Sequence, residues 1–324
     1  MSKKKILVVR NDRFGEFLLN IPAFRALKET YPEASLTVVV NPYLEELAKA
    51  IKEIDNVICW ENKKHPFFEV FSFSRKLKKE KFDSCIILNP TKEFNLISFL
   101  AGISERIGYR RKWPFLLTKT IKDKKDKAIR HEVEYNLELV KLAGAETKNK
   151  SLQLDGSEQL ADKILKEKGL EDNQPFIVVH PFTSDKIKQW PLDRFKKLIQ
   201  KIVKELERKV VLVGGREEKE RSDKIIEGLE GVINLTGVTS LVELASILKK
   251  AKLLVSCDSG PVHLAAAVDI PVVVLFRKDM LAKTAKRWGP WNTKAIIIEK
   301  YSLSDITVEE VMEKVRELIK ITNF

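Results

Sequence analysis

Short runs of β-branched and aliphatic residues recur along this chain, each followed by a stretch whose apolar residues return every three or four positions. That alternation is the mark of parallel α/β units. A buried parallel strand reads as a continuous apolar run, and its crossover helix reads with a 3.6-residue period. Strands are expected at 5–10, 36–40, 57–60, 84–88 and 107–109, with helices at 16–30, 44–51, 67–79, 93–101 and 131–142. A polar stretch at 144–157 interrupts the pattern and reads as a linker. The alternation then restarts, with strands at 176–179, 210–213, 232–234, 253–256, 272–275 and 295–298. Helices are expected between them at 192–206, 217–229, 241–249 and 261–267, and a last one at 308–319. A chain of 324 residues is long enough for two cores. The fold class is therefore α/β, two Rossmann-like doubly wound domains in tandem, 1–150 and 151–324.

The amino-terminal stretch MSKKKILVVRNDRF has one short apolar run closed at once by charge, unlike a secretory signal. No apolar stretch approaches the ~18 residues of a membrane-spanning helix. Cys59, Cys85 and Cys257 each sit in an apolar, strand-like run without metal-ligand spacing. They are expected to be buried and reduced, as in a cytoplasmic protein.

Charge is unevenly spread. The net charge is +13, and residues 60–130 alone hold 18 Lys and Arg against 8 Asp and Glu. Such a surplus draws an anionic partner: a phosphorylated lipid, a membrane face or a nucleic acid. The plain alternative is a lysine-rich solvated surface.

Doubly wound sheets bind ligands outside the carboxyl ends of their strands. Four loops follow such ends. The first holds Asp12, Gly15 and Glu16, with Gly15 read as allowing the turn; its carboxylates either cap the following helix or do chemistry. It lacks the GxGxxG of a dinucleotide site. The second offers the hydroxyls of Thr183 and Ser184 and the ammonium groups of Lys186 and Lys188, just before a helix with Pro191 near its start. That set suits a diphosphate, and equally an ordinary polar loop. In the third, Gly214 and Gly215 precede Glu217 and Glu218, either of which can accept from ribose hydroxyls. The fourth brings Asp258, Ser259, Gly260 and, one turn into a small-residue helix, His263. Asp or Ser is the expected cap there, exposed amides invite an anion, and Asp258 can orient sugar hydroxyls. His263 is either a binding residue or a structural one. No HExxH, Walker A, GxSxG, CxxC or DxD is present, so no metal site is expected.

Taken together, these landmarks resemble glycosyltransferase family 9. The segment ILVVRNDRFGEFLLNIPAFRALKETYPEASLTVVVNP resembles its amino-terminal signature. AGISERIGYR, HPFTSDKIKQWPLDRF, VLVGG and SCDSGPVHLAAA resemble its later landmarks in the same order. The resemblance implies a GT-B fold, two Rossmann-like domains facing a cleft, with a last helix that can pack back on the first domain. It implies an inverting, metal-independent heptosyltransferase with no cofactor. ADP-heptose would be the donor, and a Kdo-lipid A or inner-core lipopolysaccharide the acceptor.

In that frame Glu16 is the general base, with Asp12 close enough in sequence to share the role. Lys188, Thr183 and Ser184 meet the donor phosphates. Asp258, Ser259, Gly260 and His263 hold the sugar and diphosphate, and Glu217 or Glu218 holds the ribose. The family usually has Asp where this chain has Glu16, which moves the carboxylate by about one methylene, and near-attack geometry is sensitive to shifts of about 1 Å. The basic 60–130 region would face the anionic acceptor, giving a cytoplasmic protein peripheral on the inner membrane surface. Two alternatives stand beside this reading: transfer from another nucleotide sugar, and non-catalytic nucleotide-sugar binding on the same fold. The run RRKWPF at 110–115 raises nucleic-acid binding, but no recognised module accompanies it and no nucleic-acid partner is expected. Trp113 and Phe115 beside arginines fit a membrane interface at least as well.

Overall fold

The computed structural model describes residues 3–171 and 174–322. It divides into two compact units, Met1–Ser151 and Leu152–Phe324.

The first unit is built on six parallel strands: β1 (Lys5–Val9), β2 (Ser35–Val40), β3 (Asn56–Cys59), β4 (Ser84–Ile87), β5 (Glu105–Tyr109) and β6 (Lys119–Ile121). Their order is β3-β2-β1-β4-β5-β6. β1 is central, with Val9 level with Val39 on one side and Ile87 on the other. Its four residues Ile6–Val9 are fully buried, which is why they read as an unbroken apolar run. The connecting helices are α1 (Phe14–Leu18), α2 (Ile21–Thr30), α3 (Glu45–Lys49), α4 (Phe67–Glu80), α5 (Lys92–Leu100) and α6 (Glu132–Val140). Val70, Phe73 and Leu77 of α4 and Phe94 and Ile97 of α5 pack on Leu7, Val9, Cys85 and Ile87 of the sheet.

The second unit repeats the plan with β7 (Phe176–His180), β8 (Lys209–Leu212), β9 (Val232–Asn234), β10 (Leu254–Cys257), β11 (Val272–Arg277) and β12 (Ala295–Lys300). Its order is β12-β11-β10-β7-β8-β9, again parallel throughout. Its helices are α7 (Glu158–Glu167), α8 (Leu192–Leu206), α9 (Lys219–Ile226), α10 (Leu241–Lys250), α11 (Gly260–Ala267), α12 (Ala285–Trp288) and α13 (Val308–Ile321). The final helix, α13, buries Val308, Val311, Met312, Val315 and Leu318 in the second unit's own core, beside Phe195 and Leu198 of α8.

Both sheets therefore reverse their order of growth at one crossing, between β1 and β4 and between β7 and β10. That switch point is where open α/β sheets leave a crevice for ligands.

Four expectations are corrected in detail. The helix expected over 16–30 is two helices. Pro22 cannot follow an unbroken helix because its ring meets the carbonyl four residues back, so α1 stops at Leu18. The Asn20 side chain closes the break, donating to the Glu16 and Phe17 carbonyls at 2.6 and 3.2 Å. Strand β6 was not expected: its three residues are partly exposed at the sheet edge and lack an apolar run. Helix α7 begins directly after the polar stretch, with Ser157 Oγ accepting from Leu160 N at 3.3 Å. Cys85 and Cys257 are buried free thiols, but Cys59, on edge strand β3, is only half-buried and donates to Glu45 at 3.4 Å.

Candidate functional site

Three of the four loops sit at the switch points, the first in the first unit and the second and fourth in the second. In the first unit, β1 and β4 end side by side and their following residues cross-link. Arg10 Nη1 donates to the Leu88 carbonyl at 3.4 Å, and Asn89 Nδ2 donates to Asn11 Oδ1 at 2.9 Å. Asn11 Nδ2 then reaches the Trp60 carbonyl beyond β3 at 3.2 Å.

Arg10 is the hub of this crossing and is only 3% exposed. Its Nε donates to Asp12 Oδ1 at 2.8 Å, and its Nη1 lies 3.6 Å from Glu132 Oε1 at the start of α6. Glu132, 1% exposed, also takes Lys125 Nζ at 2.5 Å, and that ammonium sits 4.6 Å from the Tyr109 ring centroid. Buried charges survive only when paired and hydrogen-bonded, and this chain of alternating signs does that.

The capping role considered for Asp12 is corrected here, while Glu16 does stand near the helix start, where the dipole favours a carboxylate. The residue that caps α1 is Arg13, with no side-chain bond, and Asp12 is committed to Arg10 instead. Gly15 lies inside α1 without a left-handed φ, so it is a helical residue rather than a turn. Glu16 falls in the first turn of α1 and is half-buried. Burial first, and the nearby Asp12 charge second, push its carboxyl above the usual range, while Arg10 and Arg13 oppose the shift. A carboxylate raised by burial and opposed by an arginine can serve in proton transfer, and equally sits in many buried ion-pair networks.

In the second unit, β7 ends on His180 and β10 carries Ser256 opposite it in register. Ser256 Oγ donates to the His180 carbonyl at 3.0 Å and lies 3.0 Å from His180 Nδ1. Ser259 Oγ lies 2.9 Å from Ser256 Oγ and 3.2 Å from the same ring nitrogen. Burial drives the His180 imidazole down to about 3, so it is neutral at ordinary pH. Ser259 is the residue that opens α11, and its side chain makes no cap bond to the helix. The expected cap is therefore absent: Asp258 is turned to Lys188 and Ser259 to His180, leaving the first-turn amides of α11 without a side-chain acceptor from either.

Lys188 Nζ donates directly to the Asp258 carboxylate, joining the second and fourth loops. Burial pushes the Asp258 carboxyl up, and Lys188 opposes the shift. Thr183 Oγ1 donates to the Asp185 carbonyl at 2.6 Å, while Asp185 caps the short 3-10 turn Lys186–Lys188 and meets Lys283 Nζ at 3.1 Å. Ser184 is exposed on the same loop, and His263 is buried one turn into α11.

The third loop follows β8, away from the β7–β10 crossing. Glu218 turns onto its own backbone, its Oε2 accepting from Gly215 N at 2.8 Å, and Glu217 is exposed. Gly214 has a packing reason, since a Cβ there would meet the buried Phe182 ring at 2.8 Å, whereas a Cβ at Gly215 would meet only the movable Glu217 carboxylate. Of the pair considered for ribose, Glu217 is the one with its carboxylate in solvent.

Sequence reasoning passed over Arg10, Lys125 and Glu132 in the first unit and His180 and Ser256 in the second. Arg10 and His180 did carry a signal, each being a polar residue that ends a buried strand. Lys125 lies in the run KDKKDK, which reads as solvated, and no local feature marks it as buried.

The family model for glycosyltransferase family 9 (heptosyltransferase) matches residues 70–315. Lipopolysaccharide heptosyltransferase 2 of Salmonella typhimurium is 25% identical over 97% of this chain and 98% of its own length. Among solved structures, the glycosyl transferase family 9 protein of Veillonella parvula superposes with a TM-score of 0.87 at 23% identity, covering 98% of this chain and 97% of that one. The ADP-heptose LPS heptosyltransferase II of Escherichia coli gives 0.86 at 24% identity, covering 99% and 100%. These two likenesses concern the fold.

Proposed function

The chain belongs to glycosyltransferase family 9, the heptosyltransferases, and on that footing we propose that it moves heptose from ADP-heptose to a Kdo-lipid A or inner-core lipopolysaccharide acceptor. The observation that carries the donor half is the open amino end of α11 beside Lys188, with Ser259 drawn away to His180. Uncapped amides, a helix dipole and an ammonium group are what a diphosphate needs. The chain's likeness to a lipopolysaccharide heptosyltransferase 2 and to an ADP-heptose LPS heptosyltransferase II supports the sugar and the acceptor class.

The reaction in this reading is a single displacement. The acceptor hydroxyl attacks the anomeric carbon on the face opposite the nucleotide. A new carbon–oxygen bond forms as the bond to the β-phosphate breaks, so one displacement inverts the centre. The hydroxyl proton passes to the Glu16 carboxylate, which Arg10 and Asp12 hold in a fixed field. The electron pair leaves with ADP. Lys188, the Thr183 and Ser184 hydroxyls and the α11 amides at Ser259 and Gly260 oppose that charge, a task a metal performs in other transferases. Asp258 and His263 orient the sugar, and Glu217 accepts from the ribose. The basic residues of 60–130 suit an acceptor that carries phosphate and carboxylate groups.

The test is calorimetric titration with ADP, UDP and GDP without added metal, followed by transfer assays with ADP-heptose. Preference for ADP and transfer by the native chain support the reading. Preference for UDP or GDP keeps the fold and moves the donor. A Glu16→Gln chain that binds ADP but transfers nothing assigns the base, whereas one that transfers at the native rate removes Glu16 from the chemistry. A native chain that binds ADP and transfers no sugar favours the non-catalytic alternative.

A further inference from the structure

All six exposed phenylalanines and tryptophans among the described residues fall between positions 67 and 115: Phe67, Phe68, Phe71, Phe99, Trp113 and Phe115. The second unit has none among its described residues. The same stretch lies inside the segment with 18 basic and 8 acidic residues. Exposed phenylalanine and tryptophan thus coincide with the cationic surplus in one part of one unit, while the exposed tyrosines Tyr43 and Tyr301 lie outside it.

Five of these rings lie on adjoining elements, α4 and the 110–115 loop beside α5, and make a rim. Helix α4 buries Val70, Phe73 and Leu77, while its outer face shows Phe67, Phe68 and Phe71 at the amino end and Arg75, Lys78 and Lys79 further along. Trp60 ties that end of α4 to α5. Its ring stacks on His65 and on Phe73, each at 4.1 Å, and its Nε1 donates to Glu93 Oε1 at 2.7 Å. One residue earlier, Lys92 Nζ lies 5.4 Å from the Trp113 ring centroid, and Trp113 neighbours Phe115 at 6.5 Å.

The loop that presents Trp113 is strained. Lys112 and Trp113 hold φ of 54° and 68°, consecutive left-handed residues of which neither is glycine. Left-handed backbone crowds a Cβ against the following carbonyl, so both residues are strained. The buried Asn95 amide fixes the conformation, donating to the Lys112 carbonyl at 2.8 Å and the Trp113 carbonyl at 3.4 Å. An exposed tryptophan held in a strained conformation by a buried amide is a preorganised anchor.

We propose that this rim, α4 with the 110–115 loop, docks the protein on an anionic lipid bilayer. The rings enter the headgroup layer, and Arg75, Lys78, Lys92, Arg110 and Lys112 face the lipid phosphates. Tryptophan and phenylalanine interleaved with cations suit the membrane–water interface. A protein partner is the weaker fit, since the core of a protein interface is depleted of charge. Among the described residues no helix is long and apolar enough to cross a membrane, so contact of this kind lies on the surface. The inference concerns a surface of the first unit and does not depend on the transfer reaction.

The experiment is flotation of the full chain with vesicles of phosphatidylglycerol and phosphatidylethanolamine, and with vesicles of phosphatidylcholine alone. The native chain should bind the anionic vesicles, less so as salt rises from about 0.1 M to about 0.5 M. Combining Phe68→Ser, Phe71→Ser and Trp113→Ser should lower that partition roughly tenfold or more, since interfacial binding scales with the apolar area inserted. Leu281→Ser with Tyr301→Ser, two exposed apolar residues of the second unit, should leave it unchanged. If the triple variant fails to fold, Phe115→Ser, at a ring 78% exposed, gives the same test with less disturbance. Bromine-labelled lipid should quench native fluorescence more than that of Trp113→Phe.

Several results overturn the proposal: no binding of the native chain to anionic vesicles, equal binding by native and variant chains, or full displacement by inorganic phosphate. So does a native dimer in lipid-free buffer that the triple variant converts to monomer, because the rings then serve a second copy. Failure here is separable from failure of the enzymatic reading. The aromatic variants should transfer normally to a de-acylated, water-soluble acceptor, and Lys188→Ala should bind vesicles normally while losing transfer.

Discussion

His180 Nδ1 and Ser259 Oγ lie 3.2 Å apart across the crossing of the second sheet, so the residue that opens α11 turns its hydroxyl sideways instead of onto the helix. Burial keeps that imidazole neutral, with its pKa pushed from 6.5 to about 3. In the unfolded chain the ring takes up a proton as pH drops through 6.5, whereas the folded chain resists down to about 3. Stability from this residue is therefore complete above pH 6.5 and lost progressively below it, at up to about 1.4 kcal/mol per pH unit. His180→Asn should flatten that part of the stability curve, measured by urea unfolding at several pH values. An unchanged slope would mean that His180 is protonated in the fold.

The Glu16 carboxyl is raised by burial and then by Asp12. As a base it must be ionised, so the acidic limb of the rate profile should lie above the ordinary 4.5 of a glutamate. Asp12→Asn removes the neighbouring negative charge and frees Arg10 from Asp12, though not from Glu132, to act more strongly on Glu16. Both changes favour the ionised form, so the limb should move to lower pH. Glu16→Gln should lower kcat by about 100-fold or more with ADP affinity kept. A profile that ignores Asp12 would separate the two carboxylates.

Lys188 and Asp258 form an ion pair, which a diphosphate would share in the proposed donor site. Lys188→Ala should weaken ADP binding and lower kcat together, because the cation is lost in ground and transition states alike. Asp258→Asn takes a negative charge from beside the phosphates and should tighten ADP. The same change should reduce kcat/KM for ADP-heptose if the carboxylate also holds sugar hydroxyls. Calorimetry with ADP and steady-state kinetics with the full donor read the two effects separately.

Glu132 stands between two buried cations, Arg10 and Lys125. Glu132→Gln leaves both without their shared counter-charge and should destabilise the fold by about 3–5 kcal/mol, as breaking a buried pair does. A thermal shift of only a degree or two would show that water reaches the network.

The sheets were legible because a parallel strand buried on both faces has to be apolar throughout. ILVV, LTVVV, FIVVH and VVVLF could be little else. β6 and α7 were not, the first because an edge strand needs no apolar run and the second because it starts where the polar stretch ends. The loops at the crossings were found by the rule that ligands meet strand ends, and Lys188 with Asp258, 70 residues apart, does come together. What could not be read was which partner each polar group takes. Asp12 looked like a helix cap and belongs to Arg10; Ser259 looked like one and belongs to His180. Arg10 is only two residues from Asp12, but it is held beside β4, 78 residues on, and His180 is 79 residues from Ser259, so such choices depend on which strands lie side by side.

The left-handed pair at Lys112 and Trp113 places a glycine-shaped backbone under two side chains that do not suit it. A single base change or two would relieve it, so the present residues are not where drift toward abundance leads. In a mutational library sorted only for folded protein in the cell, glycine should rise at 112 and 113. In one sorted for growth that depends on the enzyme, position 113 should keep its ring. The gap between those two selections measures what the loop does for the cell apart from holding its own shape.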